Sequence, residues 1–127
     1  MIETILFSHG DLSRSVLETV GMIIGKTENI HLLSNENKAL ADLKEYLKDF
    51  IQNLKAEEVL ILTDIFGGSC WMSASIAAKD ISEKKIRVIS GFNLAMLVSL
   101  ISKCSQYGID ELVEVLKSDA INGIKGE

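Results

Sequence analysis

A histidine and an aspartate each follow an apolar segment of the sequence, and together they could do chemistry. His9 comes directly after ETILFS, residues 3–8, and Asp64 ends EEVLILTD, residues 57–64. An imidazole that donates one N–H to a carboxylate keeps the lone pair of its other nitrogen free to act as nucleophile or base. If the fold brings the two together, we predict that His9 reacts and Asp64 orients its ring. The alternative is that His9 is a hydrogen-bonded turn residue.

A glycine-rich turn follows Asp64 and could bind an anion. Gly67 and Gly68 would let the backbone approach a ligand, and a helix starting at Ser69 would direct free N–H groups toward it. We predict that Gly10, Gly67, Gly68 and Ser69 bind phosphate, and that Ser69 is also the helix N-cap. The turn lacks the lysine of a P-loop and the GxGxxG spacing, so a plain helix entry is the alternative.

Four aliphatic segments and the periodic segments between them define the elements that must position these residues. The candidate strands are residues 3–8, 29–34, 57–64 and 85–90. Apolar stripes with helical spacing predict helices over 12–24, 40–54, 70–81, 94–101 and around 112–116. Gly25 is expected to end the first helix in a left-handed C-cap, and Asp110 to be the N-cap of the last. Strand and helix alternate, as parallel strands joined by crossover helices require.

This alternation predicts one α/β domain over residues 1–127, with an open, mainly parallel sheet and helices on both faces. We expect the flavodoxin-like strand order 2-1-3-4, in which strands 1 and 3 are neighbours. Ligands of such sheets bind beyond the carboxyl ends of the strands, where the strand order reverses. His9 and Asp64 would therefore lie side by side at that place.

Composition and charge exclude several classes of function. The 127 residues are 47% hydrophobic, enough for one continuous core, and the net charge of −5 disfavours nucleic acid as a partner. Cys70 and Cys104 lack metal-site spacing, and we expect both to be reduced thiols of a cytoplasmic protein. The start, MIETILFSHG, has no basic region typical of a secretory signal, and no apolar segment is long enough to cross a membrane.

The remaining candidate residues have structural interpretations. His31, inside the second strand, is expected to be a strand side chain, so no metal site of His9, Asp64 and His31 is predicted, nor any other metal or cofactor. Cys70 is expected to fill the core, although a helix start could lower its pKa. GGSC is not the GxSxG turn of serine hydrolases. An apolar rim is predicted to dock a partner protein; its members are Phe66, Trp71 and Met96.

Three long segments resemble one protein family in the right order: ILFSHGDLSRSVLETVGMIIG, VLILTDIFGGSCWMSA and RVISGFNLAMLVSL. Together they are similar to the enzyme IIA domains of the mannose family of the sugar phosphotransferase system. The resemblance implies that His9 accepts a phosphoryl group from the phosphocarrier protein HPr and passes it to a IIB protein, which serves membrane IIC and IID subunits. It also implies that Asp64 supports the His9 ring and that Ser69 is the serine of the site.

The resemblance further implies a homodimer that exchanges a C-terminal strand, a role for the tail NGIKGE. The sequence departs from the family pattern where Cys70 and Met72 replace a frequent proline and asparagine, and where Ala95 replaces another proline. Met72 leaves the pocket or the partner contacts without a polar group. Two other functions stay open: a phosphoryl donor of a dihydroxyacetone kinase system, and a non-catalytic flavodoxin-like module that binds a small anion or regulates transcription, with His9 as a ligand contact only.

Overall fold

A computed structural model describes residues 1–127 and contains one sheet of four parallel strands in the order β2-β1-β3-β4. The predicted strand order is thereby confirmed. The strands are β1 (Ile2–Ser8), β2 (Ile30–Ser34), β3 (Glu58–Thr63) and β4 (Lys85–Ser90). All lie within one residue of the predicted segments, because each is a short aliphatic run ended by polar residues.

Five helices connect and flank these strands: α1 (Leu12–Ile24), α2 (Leu40–Asn53), α3 (Ser69–Asp80), α4 (Leu94–Lys103) and α5 (Ile109–Asn122). None of them has the length and hydropathy that a bilayer-crossing helix needs. The tail after α5 forms no strand within the single chain.

Side chains alternate across the sheet and build a separate core on each face. Ile5 and Phe7 point to one face, where α2 and α3 cover them with residues such as Leu47 and Ala74. Leu6 points to the other face, which α1, α4 and α5 cover. The central strands β1 and β3 are thus buried on both sides, and only their carboxyl ends open toward a site.

Helix ends agree with the predictions in one case and correct them in two. Gly25 is the C-cap of α1 as predicted, with a positive φ of 96°, although its ψ of −57° lies outside the left-handed helical region. Gly108, not Asp110, is the N-cap of α5; Asp110 lies in the first turn, and its carboxylate binds Arg87 and Lys85, both at 2.7 Å. At α3 the N-cap is Gly68, and Ser69 is the first helical residue, so its hydroxyl is free to point elsewhere.

Candidate functional site

His9 and Asp64 lie at the same edge of the sheet because their strands are in parallel register. Phe7 is paired with Thr63, so the chain leaves β1 and β3 at the same level. Parallel strands end at one edge, and both residues begin the loops that follow. His9 and Asp64 therefore lie side by side, as predicted.

One carboxylate oxygen of Asp64 holds His9 at two points. Asp64 Oδ2 accepts the main-chain N–H of His9 at 3.0 Å and lies 2.9 Å from the ring Nδ1. Since an ionised carboxylate only accepts hydrogen bonds, Nδ1 carries the proton and donates it. The other ring nitrogen, Nε2, therefore keeps its lone pair. The His9 side chain is 42% exposed, whereas that of Asp64 is 11% exposed, so solvent reaches the imidazole much more than the carboxylate.

The pKa of Asp64 lies below its usual value. Burial alone would raise this pKa, but the hydrogen bonds from the His9 main chain and ring, together with the charge of His9, outweigh that effect. The Ile65 N–H adds a bond to the second oxygen, Oδ1, at 3.1 Å. Asp64 is thus held as an anion beneath a ring that can become positively charged.

The Gly67-Gly68-Ser69 turn brings the start of α3 against the His9 ring. A Cβ atom at Gly68 would lie 3.0 Å from His9 Cε1 and 2.9 Å from the Ile65 side chain, so only glycine fits there without a shift. Gly67 has a φ of 81°, which glycine adopts without strain. Ser69 Oγ lies 3.4 Å from His9 Nε2.

Some main-chain N–H groups at this turn donate hydrogen bonds within the chain, and others have no acceptor. The Gly68 N–H donates to Ile65 O at 3.3 Å, whereas those of Gly67 and of the first α3 residues, 69–71, have no acceptor in the chain. Free N–H groups at a helix start, with its positive dipole end, favour an anion. The geometry therefore offers an anion position next to Nε2, supplied by α3.

Gly10 contributes to the site differently from the glycines of the turn before α3. Its φ is 58°, and its N–H donates to Asn35 Oδ1 at 3.1 Å. Ser8 also contributes to the α1 entry, since its buried hydroxyl accepts the Ser13 N–H at 2.9 Å. The Gly10 N–H is thus occupied, and Gly10 shapes the turn through its conformation.

Cys70 completes a group of three potential metal ligands but stays part of the core. The ligand atoms of His9, Asp64 and Cys70 lie within 4.8 Å of one another, a spacing from which a metal ion could be bound. The thiol is fully buried, and burial, aided by the charge of Asp64, raises its pKa to about 12. A protonated, buried thiol is a poor ligand, so the core interpretation of Cys70 holds.

Exposed apolar side chains surround His9 at the helix starts. Phe66 is 73% exposed and packs on Trp71, with ring centroids 4.9 Å apart. Four further large apolar residues at this edge are exposed: Leu12, Leu40, Met72 and Leu94. Met96, predicted for the same rim, is only 2% exposed because it turns into the core under α4. Several exposed apolar side chains at one edge are typical of a surface that contacts another protein.

Two further observations concern His31 and Asn35, which lie outside the His9–Asp64 pair. His31 is a strand side chain as predicted, with Nε2 3.2 Å from Glu3 Oε1 and the ring edge against Phe50. Asn35 was not predicted, although it follows strand β2 at the same edge as His9 and Asp64. The rule that polar residues after parallel strands gather at one edge would have found it.

The chain is similar in sequence and in structure to known proteins. The chain is 30% identical to the fructose-specific EIIA component of Bacillus subtilis over 121 residues, covering 93% of this chain and 81% of that protein. It is 28% identical to the sorbose-specific EIIA component of Klebsiella pneumoniae over 120 residues, covering 94% and 87%. The crystal structure of EIIA from Streptococcus agalactiae superposes with a TM-score of 0.91 at 26% identity, covering 99% and 97%.

The same fold occurs more widely, since a sigma-54 interaction domain protein from Enterococcus faecalis superposes with a TM-score of 0.79 at 14% identity. The family model EIIA-man, the PTS system fructose IIA component, matches residues 3–117, which include all five helix starts and both His9 and Asp64. The chain therefore belongs to the EIIA-man family, the mannose-type IIA components of the sugar phosphotransferase system.

Proposed function

We propose that this chain is a phosphoryl carrier that accepts phosphate on His9 from phospho-HPr and passes it to a IIB protein for sugar uptake. The observation that carries this proposal is the His9–Asp64 pair, in which Nδ1 is bonded to Asp64 at 2.9 Å and Nε2 is left without a proton, with only the Ser69 hydroxyl 3.4 Å away. Family membership supports it, because IIA components are phosphotransferases. Transfer would take place in the cytoplasm, with the membrane IIC and IID subunits served through IIB.

The transfer step needs no cofactor. The lone pair of His9 Nε2 attacks phosphorus in line, the P–N bond of the donor phosphohistidine breaks, and its electron pair stays on the donor ring. The His9 ring then carries the Nδ1 proton and an Nε2–P bond, so positive charge develops on it. Asp64 compensates that charge from the buried side. Transfer to IIB is the same step in reverse, with the IIB side chain as nucleophile.

The phosphoryl oxygens are expected to bind at the start of α3. The N–H groups of Gly67 and of residues 69–71 are free, and the Ser69 hydroxyl lies 3.4 Å from the attacking nitrogen. Gly68 contributes by letting the ring and the helix start approach. Gly10 contributes its positive φ, since its N–H is already occupied.

The apolar surface around His9 is the proposed docking site for HPr and IIB. Phosphohistidine must be brought within bonding distance of Nε2, and a partner can do so only by covering this edge. Phe66 and Trp71 are the expected anchors, because large aromatic residues at an exposed edge contribute most to such contacts.

A homodimer is the expected assembly. The outer edge of β4 has no partner strand, and an apolar groove beside it is lined by Val88, Val113, Ile121 and Ile124 and continues to Phe66 and Trp71. An exchanged C-terminal strand from a second copy would cover both features. Light scattering during size-exclusion chromatography measures the oligomeric state. A monomer at all protein concentrations would contradict the homodimer.

The test of the proposed function uses the two histidines of the chain as a matched pair. The protein is incubated with phosphoenolpyruvate, enzyme I and HPr, and its mass is measured before and after acid treatment. We expect one acid-labile phosphate on the wild-type protein and on the His31→Gln variant, and none on His9→Gln.

Three results would contradict parts of the proposal. Phosphate on His9→Gln protein would reject His9 as acceptor. No phosphate on the wild-type protein, while an established IIA component is phosphorylated in the same mixture, would favour a non-catalytic anion-binding module. Onward transfer to a dihydroxyacetone kinase system and not to any IIB protein would assign the carrier to that pathway.

A further inference from the structure

The peptide groups on both sides of His9 are held by one residue, Asn35, in the loop after β2. The Asn35 main-chain N–H donates to Ser8 O at 3.3 Å. Its side-chain Oδ1 accepts the N–H of Gly10 at 3.1 Å. We call these two bonds the Asn35 clamp. They lie on the β2 side of His9, opposite Asp64, which holds the residue from the β3 side.

A neighbouring hydroxyl makes the same turn more rigid. Ser34 Oγ donates to Gly10 O at 2.8 Å and accepts the Glu36 N–H at 3.1 Å. Both polar groups of Gly10 are therefore bonded to the loop after β2, which fixes the turn with its φ of 58°. The bonds from Asn35 hold both peptide planes that meet at the His9 Cα, and together these planes fix the direction of the Cα–Cβ bond.

Charge explains why an amide suits this place. Glu36 Oε1 already lies 3.8 Å from where a Cβ atom of Gly10 would be. A second carboxylate in the clamp would repel a phosphoryl group on His9, whereas the neutral asparagine oxygen accepts the N–H without a net charge. The clamp also removes the Gly10 N–H from the set that could bind phosphate and leaves that task to α3.

We propose that Asn35 is a positioning residue for phosphoryl transfer: its clamp on Ser8 and Gly10 aims His9 Nε2 at the start of α3. The inference rests on the proposed carrier function. It differs from a merely structural role, because it predicts a change in the reaction rate at saturating donor without a matching loss of donor affinity. Asn35 touches neither the ring nor the anion position.

The experiment compares three variants in single-turnover phosphorylation by phospho-HPr and in amide hydrogen exchange at Gly10. Asn35→Ala removes the acceptor but keeps the main-chain bond to Ser8. Asn35→Asp keeps an oxygen in the same place. Asn53→Ala, which removes an exposed asparagine at the far end of α2, is the matched control.

We expect Asn35→Ala to lower the saturating rate about five- to tenfold, the effect of losing one positioning hydrogen bond, with the half-saturating HPr concentration unchanged. The Gly10 amide should exchange faster in this variant only. Asn35→Asp should restore Gly10 protection, but its added negative charge should keep the rate below that of the wild type, while Asn53→Ala should match the wild type.

Two outcomes would overturn the inference: an Asn35→Ala rate equal to that of Asn53→Ala, or unchanged Gly10 exchange. A loss confined to HPr affinity would also overturn it and assign Asn35 to docking. If the wild-type protein accepts no phosphate, the proposed function fails, and Gly10 exchange still tests whether the clamp exists.

Discussion

Asp64→Asn isolates the charge of Asp64 from its shape. Oδ2 of the aspartate accepts both the His9 main-chain and ring N–H groups, and Oδ1 accepts the Ile65 N–H. An asparagine that places its oxygen at Oδ2 keeps both bonds to His9 and gives up only the bond to Ile65, an exposed residue whose N–H can reach water. The variant should therefore fold with the His9 ring in place.

The size of the effect follows from the distance between the two groups. At the 2.9 Å between Nδ1 and Oδ2, unit charges attract by about 6 kcal/mol at an effective dielectric constant of about 20, and by about 1.4 kcal/mol in bulk water. The His9 side chain is 42% exposed, so solvent screens part of this attraction. Only part of the ring charge has developed at the transition state. We therefore expect a loss of about 1–3 kcal/mol, or about 5- to 150-fold in rate.

The assay is single-turnover transfer from phospho-HPr, followed by rapid quenching and separation of the phosphorylated protein. Asp11→Asn is the matched control, since it makes the same charge change at the same edge of the sheet. The Asp11 carboxylate is 69% exposed and binds only Arg14, so this variant should react at the wild-type rate.

Equal rates for Asp64→Asn and Asp11→Asn would refute the electrostatic argument. So would a slow Asp64→Asn variant whose His9 ring nitrogens show the opposite tautomer by ¹⁵N NMR, because the loss would then come from a misplaced proton.

Three further predictions concern docking, thiol reactivity and pH. Phe66→Ser should raise the HPr concentration needed for half-maximal transfer but leave phosphorylation by the small donor phosphoramidate unchanged. Met22→Ser replaces another exposed apolar residue, on α1, and should change neither reaction. Loss of both reactions in Phe66→Ser would contradict a docking role. Iodoacetamide at neutral pH should modify exposed Cys104 and spare buried Cys70, whose pKa is raised to about 12; mass spectrometry of the native protein would count a second adduct if this is wrong. Because the pKa of Asp64 is lowered in the folded state, its share of the free energy of unfolding is present above the pKa of the unfolded chain and lost as pH falls through the folded value. Urea titrations should show a smaller loss of stability in acid for Asp64→Asn than for the wild type, and parallel losses would disprove the linkage.

The proximity of His9 and Asp64 was predictable because it depends on patterns that are local or follow from topology. Aliphatic runs ended by polar residues locate β1 and β3, and alternation with helices makes the sheet parallel. Those two facts alone put His9 and Asp64 at one edge. The proton on Nδ1 and the free Nε2 then follow from hydrogen-bonding chemistry, not from any further feature of the sequence.

The sequence could not predict details that depend on the direction of individual side chains. Asp110 looks like an N-cap, but two cations on β4 hold it in the first turn of α5. Met96 lies two residues after exposed Leu94 in α4, and its side chain packs into the core instead of the rim. The sequence around Asn35, SNEN, contains no pattern that indicates a function. The contact of its amide with Gly10 depends on the conformation of the loop. In each case the competing contact comes from a distant segment.

The bond between His9 and Asp64 joins residues 55 positions apart. During synthesis the histidine therefore leaves the ribosome well before its partner exists, and a nascent chain that ends before β3 carries a bare imidazole with no oriented lone pair. Non-local pairing of this kind is a late and slow step in folding. Under the proposed function, acceptance of phosphate would require the finished sheet, so truncated or misfolded copies would not divert phosphate from the transfer.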